Sequence, residues 1–360
     1  MLILILKKLN SIMVNQANKR FLGKITIFLL LANIFIAGYI PYIPFKPSVI
    51  PLEKRIPFSD YQELQGSSIL RTQNLSDLGE IESLDLTVLA DNYPNGELSA
   101  LWGLSILIET SSSTVLLDTG QSYSVLRDNA LSLAKDLSEV DFVVISHEHW
   151  DHIGGLSYIE EVNPGVTVYV PSLIDTQTFN TINQSNLNVI KINETTIIQR
   201  GFAIVGELNG PPYEQALVVN VKDVGLVSFV GCSHPGVENV IGKVTTDLRI
   251  DTYMVIGGFH MVSATEQQIE DTIESLFELG VKKIFPIHCS GDTIRQYMAQ
   301  HFPQQYGQGN VGFQLTVNKF TITIDEALPL IFAILISAIV ISLTLIASTF
   351  IRKKKGVKRA

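Results

Sequence analysis

Residues 145–156, "ISHEHWDHIGGL", constrain the fold of this chain more than any other segment. The chain has seven histidines, and three of them lie in six consecutive positions here, together with two acids. A regular helix or strand would not turn all of these side chains to one side. A loop that turns into a helix would do so, with Gly154 and Gly155 supplying the flexibility. We therefore expect a rigid scaffold that carries such a loop.

The side chains in this segment indicate a metal site. Imidazole nitrogens and carboxylate oxygens are ligands of zinc, iron and manganese. His147, His149, Asp151 and His152 exceed the three protein ligands of a typical catalytic zinc, and such a surplus indicates a site for two ions. A polar surface turn is the alternative interpretation. We predict metal binding.

The remaining clustered histidines follow predicted strands. Short apolar runs alternate with amphipathic runs through the middle of the chain, which predicts one α/β domain. A buried strand over 140–146 ends at the histidine cluster, and His234, His260 and His288 each lie at or just beyond the end of another predicted strand. Strand ends hold loop side chains in fixed relation. We expect these residues to lie near the cluster.

The two ends of the chain predict membrane anchors. Residues 25–45 and 327–351 contain no charged residue and are flanked by Lys and Arg. We predict two transmembrane helices, with a signal anchor or a cleaved signal peptide as the alternative for the first. Basic flanks favour the cytoplasmic side. The predicted organisation is thus a cytoplasmic N-terminus (1–24), a domain outside the cytoplasm (46–326) and a cytoplasmic tail (352–360).

The predicted domain is acidic. Residues 46–326 hold all 35 acidic residues of the chain but only 15 of the 26 basic ones. Such a surface argues against nucleic acid as a ligand, since phosphate backbones are bound by Lys and Arg. The predicted partners are a small-molecule substrate and the lipid bilayer, through the two helices, and no nucleic acid.

Two cysteines occur, and each stands beside a histidine. Cys232 lies in "GCSHPG" and Cys289 in "IHCSG". In an exported domain they could form a disulfide. Their placement next to candidate ligands favours thiols associated with the site.

The cluster and the preceding "VLLDTG" (115–120) resemble the metallo-β-lactamase superfamily. "LWGLSILIE" (101–109), "VGCSHPGVENVI" (230–241), "VIGGFHM" (255–261) and "PIHCSG" (286–291) are together similar to one branch of it. That branch is named for 7,8-dihydropterin-6-yl-methyl-4-(β-D-ribofuranosyl)aminobenzene-5′-phosphate synthase. The resemblance implies a four-layer αββα sandwich with a dinuclear metal site between its sheets, flanked here by the two predicted transmembrane helices.

The resemblance also implies roles for individual residues. Asp118 would lie behind the ligands and orient the loop through hydrogen bonds. The implied ligands are His147 and His149 for one ion and Asp151 and His152 for the other, with His288 as the last histidine.

Two departures from the superfamily pattern bear on the site. No histidine lies between 153 and 233, where most members carry a third histidine ligand, and Cys232 stands where most carry a bridging Asp. We assign His234 as the substitute ligand. Cys232 could be a thiolate ligand, a small buried residue or a thiol lining the site behind the ligands. His260 could contact substrate, act as an acid or lie in the core, and Trp102 replaces a histidine that we expect in many branch members.

These features predict a membrane-anchored, metal-dependent hydrolase. Two divalent ions, zinc or alternatively iron or manganese, would lower the pKa of bound water to about 7 and supply hydroxide. The predicted substrate is a small ester or phosphate-bearing molecule, and Asp151 and His260 are the predicted catalytic residues. A di-iron redox protein and a non-catalytic metal-binding sensor or scaffold are the alternatives.

Overall fold

A computed structural model describes residues 78–319, which fall within one compact unit, Leu70–Thr323. The strands are β1 (Ser83–Ala90), β2 (Ser105–Thr110), β3 (Thr114–Leu117), β4 (Phe142–Val144), β5 (Thr167–Pro171), β6 (Asn188–Ile192), β7 (Thr196–Gln199), β8 (Phe202–Asn209), β9 (Tyr213–Val221), β10 (Gly225–Val230), β11 (Thr252–Gly258), β12 (Lys283–Ile287) and β13 (Gln314–Asn318). The α-helices are α1 (Tyr123–Ser132), α2 (Trp150–Ile153), α3 (Leu156–Val162), α4 (Thr176–Asn183), α5 (Val237–Leu248), α6 (Glu266–Glu278) and α7 (Asp292–His301).

The strands form two sheets. The first has the order β13-β1-β2-β3-β4-β5-β6, and the second has the order β12-β11-β10-β9-β8-β7. Strands β3 to β6 run parallel to one another, as do β10, β11 and β12. Because parallel strands end at the same edge of a sheet, each sheet presents a row of loops at the carboxyl ends of these strands. The remaining pairs are antiparallel.

The two sheets pack face to face and helices cover both outer faces. In β3, Val115 and Leu117 belong to the cluster between the sheets, whereas Leu116 belongs to the cluster under α1 and α3. This alternation follows from the two-residue period of a strand. On the other side, Val255 of β11 packs with Ile273 of α6. The predicted four-layer αββα sandwich is therefore confirmed.

The membrane localisation predicted above is corrected by the structure. None of the helices within residues 78–319 is long and apolar enough to cross a bilayer. The longest of them, α6, has 13 residues, whereas a spanning helix needs about 20. The segments 25–45 and 327–351, on which that prediction rested, lie outside the described residues. The predictions of cytoplasmic termini, of an exported domain and of the bilayer as a partner therefore have no support.

Local sequence signals explain most of the observed elements. Strands β9 and β10 form a hairpin about 222–225, with Asp223 and Gly225 in the left-handed φ region that a tight turn requires. Helix α6 begins with a capping box between Thr265 and Gln268. Helix α1 ends at Ser132, and one turn of 3₁₀ helix follows over Leu137–Glu139.

Candidate metal centre

Each histidine that was predicted to join the site follows the carboxyl end of a parallel strand. In the first sheet, Asp118 follows β3 directly, and the loop after β4 carries the segment 147–152. In the second sheet, the loops after β10, β11 and β12 carry His234, His260 and His288. The sandwich brings the strand ends of both sheets together. The contacts between these side chains, described below, show this.

The segment "HEHWDH" is a loop that turns into one short helix, as predicted. His149 occupies the N-cap position of α2 with extended φ and ψ, and Asp151 and His152 lie in the single turn that follows. The predicted flexibility of the two glycines is wrong, since both have ordinary right-handed helical angles. Their role is close packing: a Cβ at 154 would lie 2.3 Å from the carbonyl oxygen of Gln121.

Asp118 is hydrogen-bonded to two residues of the loop after β4, Ser146 and His152. Its Oδ1 accepts a hydrogen bond of 2.7 Å from the amide of Ser146, and its Oδ2 accepts one of 2.7 Å from Ser146 Oγ. Oδ2 also lies 2.6 Å from Nδ1 of His152. Because a carboxylate only accepts, His152 must donate through Nδ1, and in the neutral form of the ring Nε2 carries the lone pair.

Ser146 extends the same arrangement to His147. The Ser146 hydroxyl donates to Asp118 and lies 2.9 Å from Nδ1 of His147. Since its proton is committed, the hydroxyl accepts from Nδ1 of His147, which leaves Nε2 of that ring as a lone-pair donor. Asp118 therefore fixes the tautomer of His152 directly and that of His147 through Ser146.

In the second sheet, Glu214 holds the loop that carries His234. This buried carboxylate at the start of β9 accepts from the amides of Cys232, Ser233 and His234 at 2.7, 2.8 and 2.8 Å. Its Oε2 also lies 3.0 Å from Nδ1 of His234. His234 therefore donates through Nδ1 and presents Nε2. Burial alone would raise the pKa of Glu214, but the hydrogen bonds and charge from His234 hold it below its ordinary value.

Asp91 and Asn92, at the end of β1, hold His288 in the same manner. Oδ1 of Asp91 accepts from the amide of His288 at 2.7 Å. Oδ1 of Asn92 lies 3.1 Å from Nδ1 of His288, and the Asn92 amide donates to the carbonyl of His288 at 3.0 Å. His288 is buried and has a left-handed φ of 50°. Its Nε2 is thereby directed away from Asn92, towards Asp151, which lies 3.2 Å from it.

The donor atoms of these side chains form two neighbouring groups. Within each group all donor atoms lie within 4.8 Å of one another. One group consists of Asp151, His152, Cys232 and His288, and the other consists of His147, Cys232 and His234. His149 stands beside the second group, with its Nδ1 3.1 Å from Nε2 of His147 and its ring centroid 4.9 Å from that of His234.

The charges of these residues suit ligands of a divalent ion. Burial, with the neighbouring histidines, holds the pKa of His147 well below its ordinary value, so that this ring is neutral. Burial alone would raise the pKa of Asp151, but the hydrogen bond from His288 and the charges of His152 and His288 hold it below its ordinary range. Neutral imidazole and ionised carboxylate are the forms that bind metal.

One buried atom supports metal binding independently. Nε2 of His234 has no hydrogen-bond partner within the described part of the chain. A buried polar atom without a partner costs free energy. His234 belongs to the second of the two groups above. The residues present therefore fit divalent ions, one of which would satisfy this nitrogen.

The two remaining predicted residues lie at the edge of this arrangement. His260 is exposed, and its ring centroid lies 4.5 Å from that of His234. Both rings line a cavity of about 370 Å³ whose other walls include Phe259 and Met261. Trp102 is 48% exposed and its ring lies 5.1 Å from the ring of His288. The two cysteines are free and buried, so the alternative of a disulfide is not realised.

Sequence reasoning missed the acids that support the second sheet's ligands. Asp91, like Asp118, directly follows an apolar strand, and this signal could have identified it. Glu214 starts the otherwise apolar strand "EQALVVNV" far from any histidine in sequence. No local pattern marks it as a neighbour of His234.

Known proteins resemble this chain in sequence and in structure. Residues 103–211 match the metallo-beta-lactamase superfamily. The chain is 27% identical over 289 residues to the 7,8-dihydropterin-6-methyl-4-(beta-D-ribofuranosyl)-aminobenzene-5′-phosphate synthase of Methanocaldococcus jannaschii, covering 66% of this chain and 98% of that protein. These matches confirm the resemblance predicted from the motifs.

Two solved structures agree. One is described as a metal-dependent hydrolase of the beta-lactamase superfamily, with 26% identity, a TM-score of 0.57 and coverage of 65% of this chain and 99% of that one. The other, the metallo-beta-lactamase fold protein YhfI of Bacillus subtilis, has 14% identity and a TM-score of 0.52, with coverage of 66% and 100%. At that identity the second match shows the fold alone.

Proposed function

We propose, from the match of residues 103–211 to the metallo-β-lactamase superfamily, that the chain is a metal-dependent hydrolase of a small molecule, with a site for two divalent ions. One observation carries this proposal. His147, His152, His234 and His288 each have Nδ1 held by a protein oxygen, and each presents Nε2 to one of two adjacent ligand groups. Metal-binding histidines characteristically show this arrangement.

The proposed ligands follow the two groups. His147 and His234, with His149 beside them, would hold one ion, and Asp151, His152 and His288 would hold the other. Cys232 has its sulfur within reach of both groups, 3.2 Å from Nε2 of His152. Divalent ions held by this set would supply Lewis acidity and a water molecule of lowered pKa. The nitrogen- and sulfur-rich donor set favours zinc, with iron or manganese as alternatives.

The chain's own residues perform the remaining tasks. Asp118 fixes the rings of His147 and His152, and Glu214 fixes the loop from Cys232 to His234. Asp151, ionised and only partly buried, is placed to bind an ion on one side and to orient a water molecule on the other. His260 is exposed on the wall of the cavity, where its ring can donate a hydrogen bond to a substrate.

A synthase is the second candidate, because the curated relative that matches along 98% of its own length bears that name. A synthase of phosphate-bearing compounds would need a phosphate site. Among the described residues that line the cavity, none is Lys or Arg, whereas Glu238 and Asp271 are acidic. This composition favours the hydrolase for this chain.

Turnover by the metal-loaded full chain tests the proposal. The protein is stripped with a chelator, reloaded with zinc and offered a p-nitrophenyl ester, a lactone, a thioester and bis-p-nitrophenyl phosphate in ¹⁸O-labelled water. We expect metal-dependent hydrolysis of at least one compound, with ¹⁸O in the product. Asp151→Asn should lower kcat/KM by a factor of about 10³, since it removes both a ligand and a water contact.

The matched control is His301→Ala, because His301 is an exposed histidine at the end of α7, outside the site. It should retain wild-type rates. Folded, zinc-loaded protein without hydrolysis of any compound would contradict the proposal and favour the synthase.

A further inference from the structure

Three residues occupy equivalent positions after three adjacent parallel strands. Strands β10, β11 and β12 are neighbours in the second sheet and end at Val230, Gly258 and Ile287. Cys232, His260 and Cys289 each lie two residues beyond these ends. Adjacent parallel strands place such positions side by side. The fold therefore assembles two thiols and one imidazole into a row at the carboxyl edge of the sheet.

The three side chains meet closely enough to bind one ion. One donor atom from each lies within 4.8 Å of the donor atoms of the other two. Cys289 Sγ accepts a hydrogen bond of 3.3 Å from the amide of His260 and lies 3.7 Å from the carbonyl oxygen of Cys232. Gly258 makes room for this sulfur, because a Cβ there would lie 2.6 Å from Cys289 Sγ.

We propose that Cys232, His260 and Cys289 bind a thiophilic divalent ion of the zinc and cadmium class, beside the ions of the candidate metal centre. Two thiolates and one imidazole form a donor set that zinc accepts with a fourth position open. His260 lines the cavity, so its ring links this thiol site to the space where a substrate would lie. An imidazole has two nitrogens, so that binding an ion through one leaves the other for a substrate.

A role in packing alone does not account for the arrangement. Buried cysteines often serve as small apolar residues, and both thiols here are almost fully buried. Packing, however, does not call for an exposed imidazole with a nitrogen within 4.8 Å of both sulfurs. His260 has a left-handed φ of 52°, a region that non-glycine residues rarely adopt, and this conformation accompanies its position beside the sulfurs.

The thiol site is joined to the proposed centre through one atom. The sulfur of Cys232 also lies within both ligand groups of that centre. A thiolate can bridge two ions, so that Cys232 is the shared ligand and Cys289 belongs to the thiol site alone. The inference therefore goes beyond the proposed hydrolysis and does not depend on it.

Cadmium binding to the reduced full chain tests this site. The chelator-stripped protein is titrated with Cd²⁺, while thiolate-to-metal charge-transfer absorbance is recorded and cadmium per chain is counted after desalting. We expect Cys289→Ser and His260→Asn each to bind one cadmium fewer than wild type, with weaker charge-transfer absorbance. Asparagine tolerates the left-handed backbone at 260, and the position is exposed, so this variant keeps the test valid if Cys289→Ser fails to fold.

His149→Ala separates the two sites. It should lose an ion from the candidate metal centre and keep the charge-transfer change on cadmium addition that wild type shows. Equal cadmium counts and equal absorbance in wild type, Cys289→Ser and His260→Asn would overturn the thiol site. Full wild-type cadmium binding in His149→Ala, with loss in the two thiol-site variants, would instead contradict the proposed function and support the thiol site.

Discussion

The two sheets contribute to the candidate metal centre in different ways. The first sheet supplies a contiguous segment, 147–152, and one carboxylate, Asp118, that fixes two of its histidines. The second sheet supplies histidines from separate loops, and two of these proposed ligands each have their own polar support: Glu214 for His234, and Asp91 with Asn92 for His288. A short contiguous motif can share one support, whereas ligands from distant loops must each be fixed separately.

Removing Glu214 is expected to have the largest effect. In Glu214→Ala, three backbone amides and Nδ1 of His234 lose their acceptor in a buried place. Each unsatisfied buried donor costs about 1–3 kcal/mol, so we expect the free energy of unfolding to fall by about 3–5 kcal/mol. Chemical denaturation of the metal-free protein measures this.

Glu207→Ala is the matched control for that variant. Glu207 lies on the neighbouring strand β8, is partly exposed and accepts from Ser172 Oγ and the amide of Leu173. Its loss should cost about 1 kcal/mol, because water replaces part of what is removed. If Glu214→Ala proved no more destabilising than Glu207→Ala, the loop from Cys232 to His234 would not depend on Glu214 for its stability.

His152 should make zinc affinity depend on pH, whereas His147 should not. Burial alone would lower the pKa of His152, but the negative charge of Asp118 and its hydrogen bond raise it to about 9, whereas burial and neighbouring histidines keep His147 neutral. The ion-free chain therefore holds a proton on His152 at pH 7, and an ion must displace it. Zinc affinity should rise by up to about tenfold per pH unit between pH 7 and 9.

A competition titration with a chromogenic chelator at pH 7, 8 and 9 measures this slope. The pKa of His152 is raised in the folded state, so its protonated pair with Asp118 stabilises the ion-free chain below about pH 6.5 and is lost as the pH rises through about 9. A flat affinity over this range would show that His152 is not a ligand.

Asp118→Asn should weaken zinc binding by about 10–100-fold, which is the usual cost of losing an acceptor behind a ligand histidine. Asparagine has one acceptor oxygen where Asp118 has two. It can accept from the Ser146 amide or from the Ser146 hydroxyl and His152, but not from both sides, so the tautomers of His147 and His152 are no longer fixed. The same chelator competition measures the affinity. Affinity within twofold of wild type would mean that the shared support of the first sheet is dispensable.

Asp91→Asn should have the smallest effect, with zinc affinity reduced by less than about tenfold. Asp91 contacts the backbone amide of His288, not its ring, and Asn92 still holds the ring nitrogen. A loss of zinc affinity larger than that of Asp118→Asn would contradict the expectation that the support shared by His147 and His152 matters more than the support of His288 by Asp91.

The same difference explains how much of the site could be predicted from sequence. The segment 147–152 indicates its chemistry by composition and spacing alone, and the order of apolar runs indicates one α/β domain, whereas the sandwich was implied by the family resemblance. His234 and His288 could be placed because each follows a predicted strand. Glu214 could not, because its contact with His234 depends on the pairing of β9 with β10 and spans 20 residues of sequence.

The role of the two glycines was also beyond sequence reasoning. Gly154 and Gly155 were expected to supply flexibility, but the structure shows packing of α2 against the loop after β3, with the carbonyl oxygens of Thr119 and Gln121 where a Cβ would lie. A glycine that allows a turn and a glycine that allows close contact cannot be told apart in the sequence. Only the tertiary neighbours distinguish them.

X-ray absorption of the zinc-loaded full chain tests most directly whether the two sheets form one dinuclear centre. The account predicts imidazole scattering and a metal–metal vector of about 3.5–4 Å. In the background of Cys289→Ser, which removes the thiol site, the vector should vanish in His149→Ala, from the first sheet, and equally in His234→Ala, from the second. A vector that persists in His234→Ala, or zinc bound without any metal–metal vector in wild type, would contradict a centre shared between the sheets.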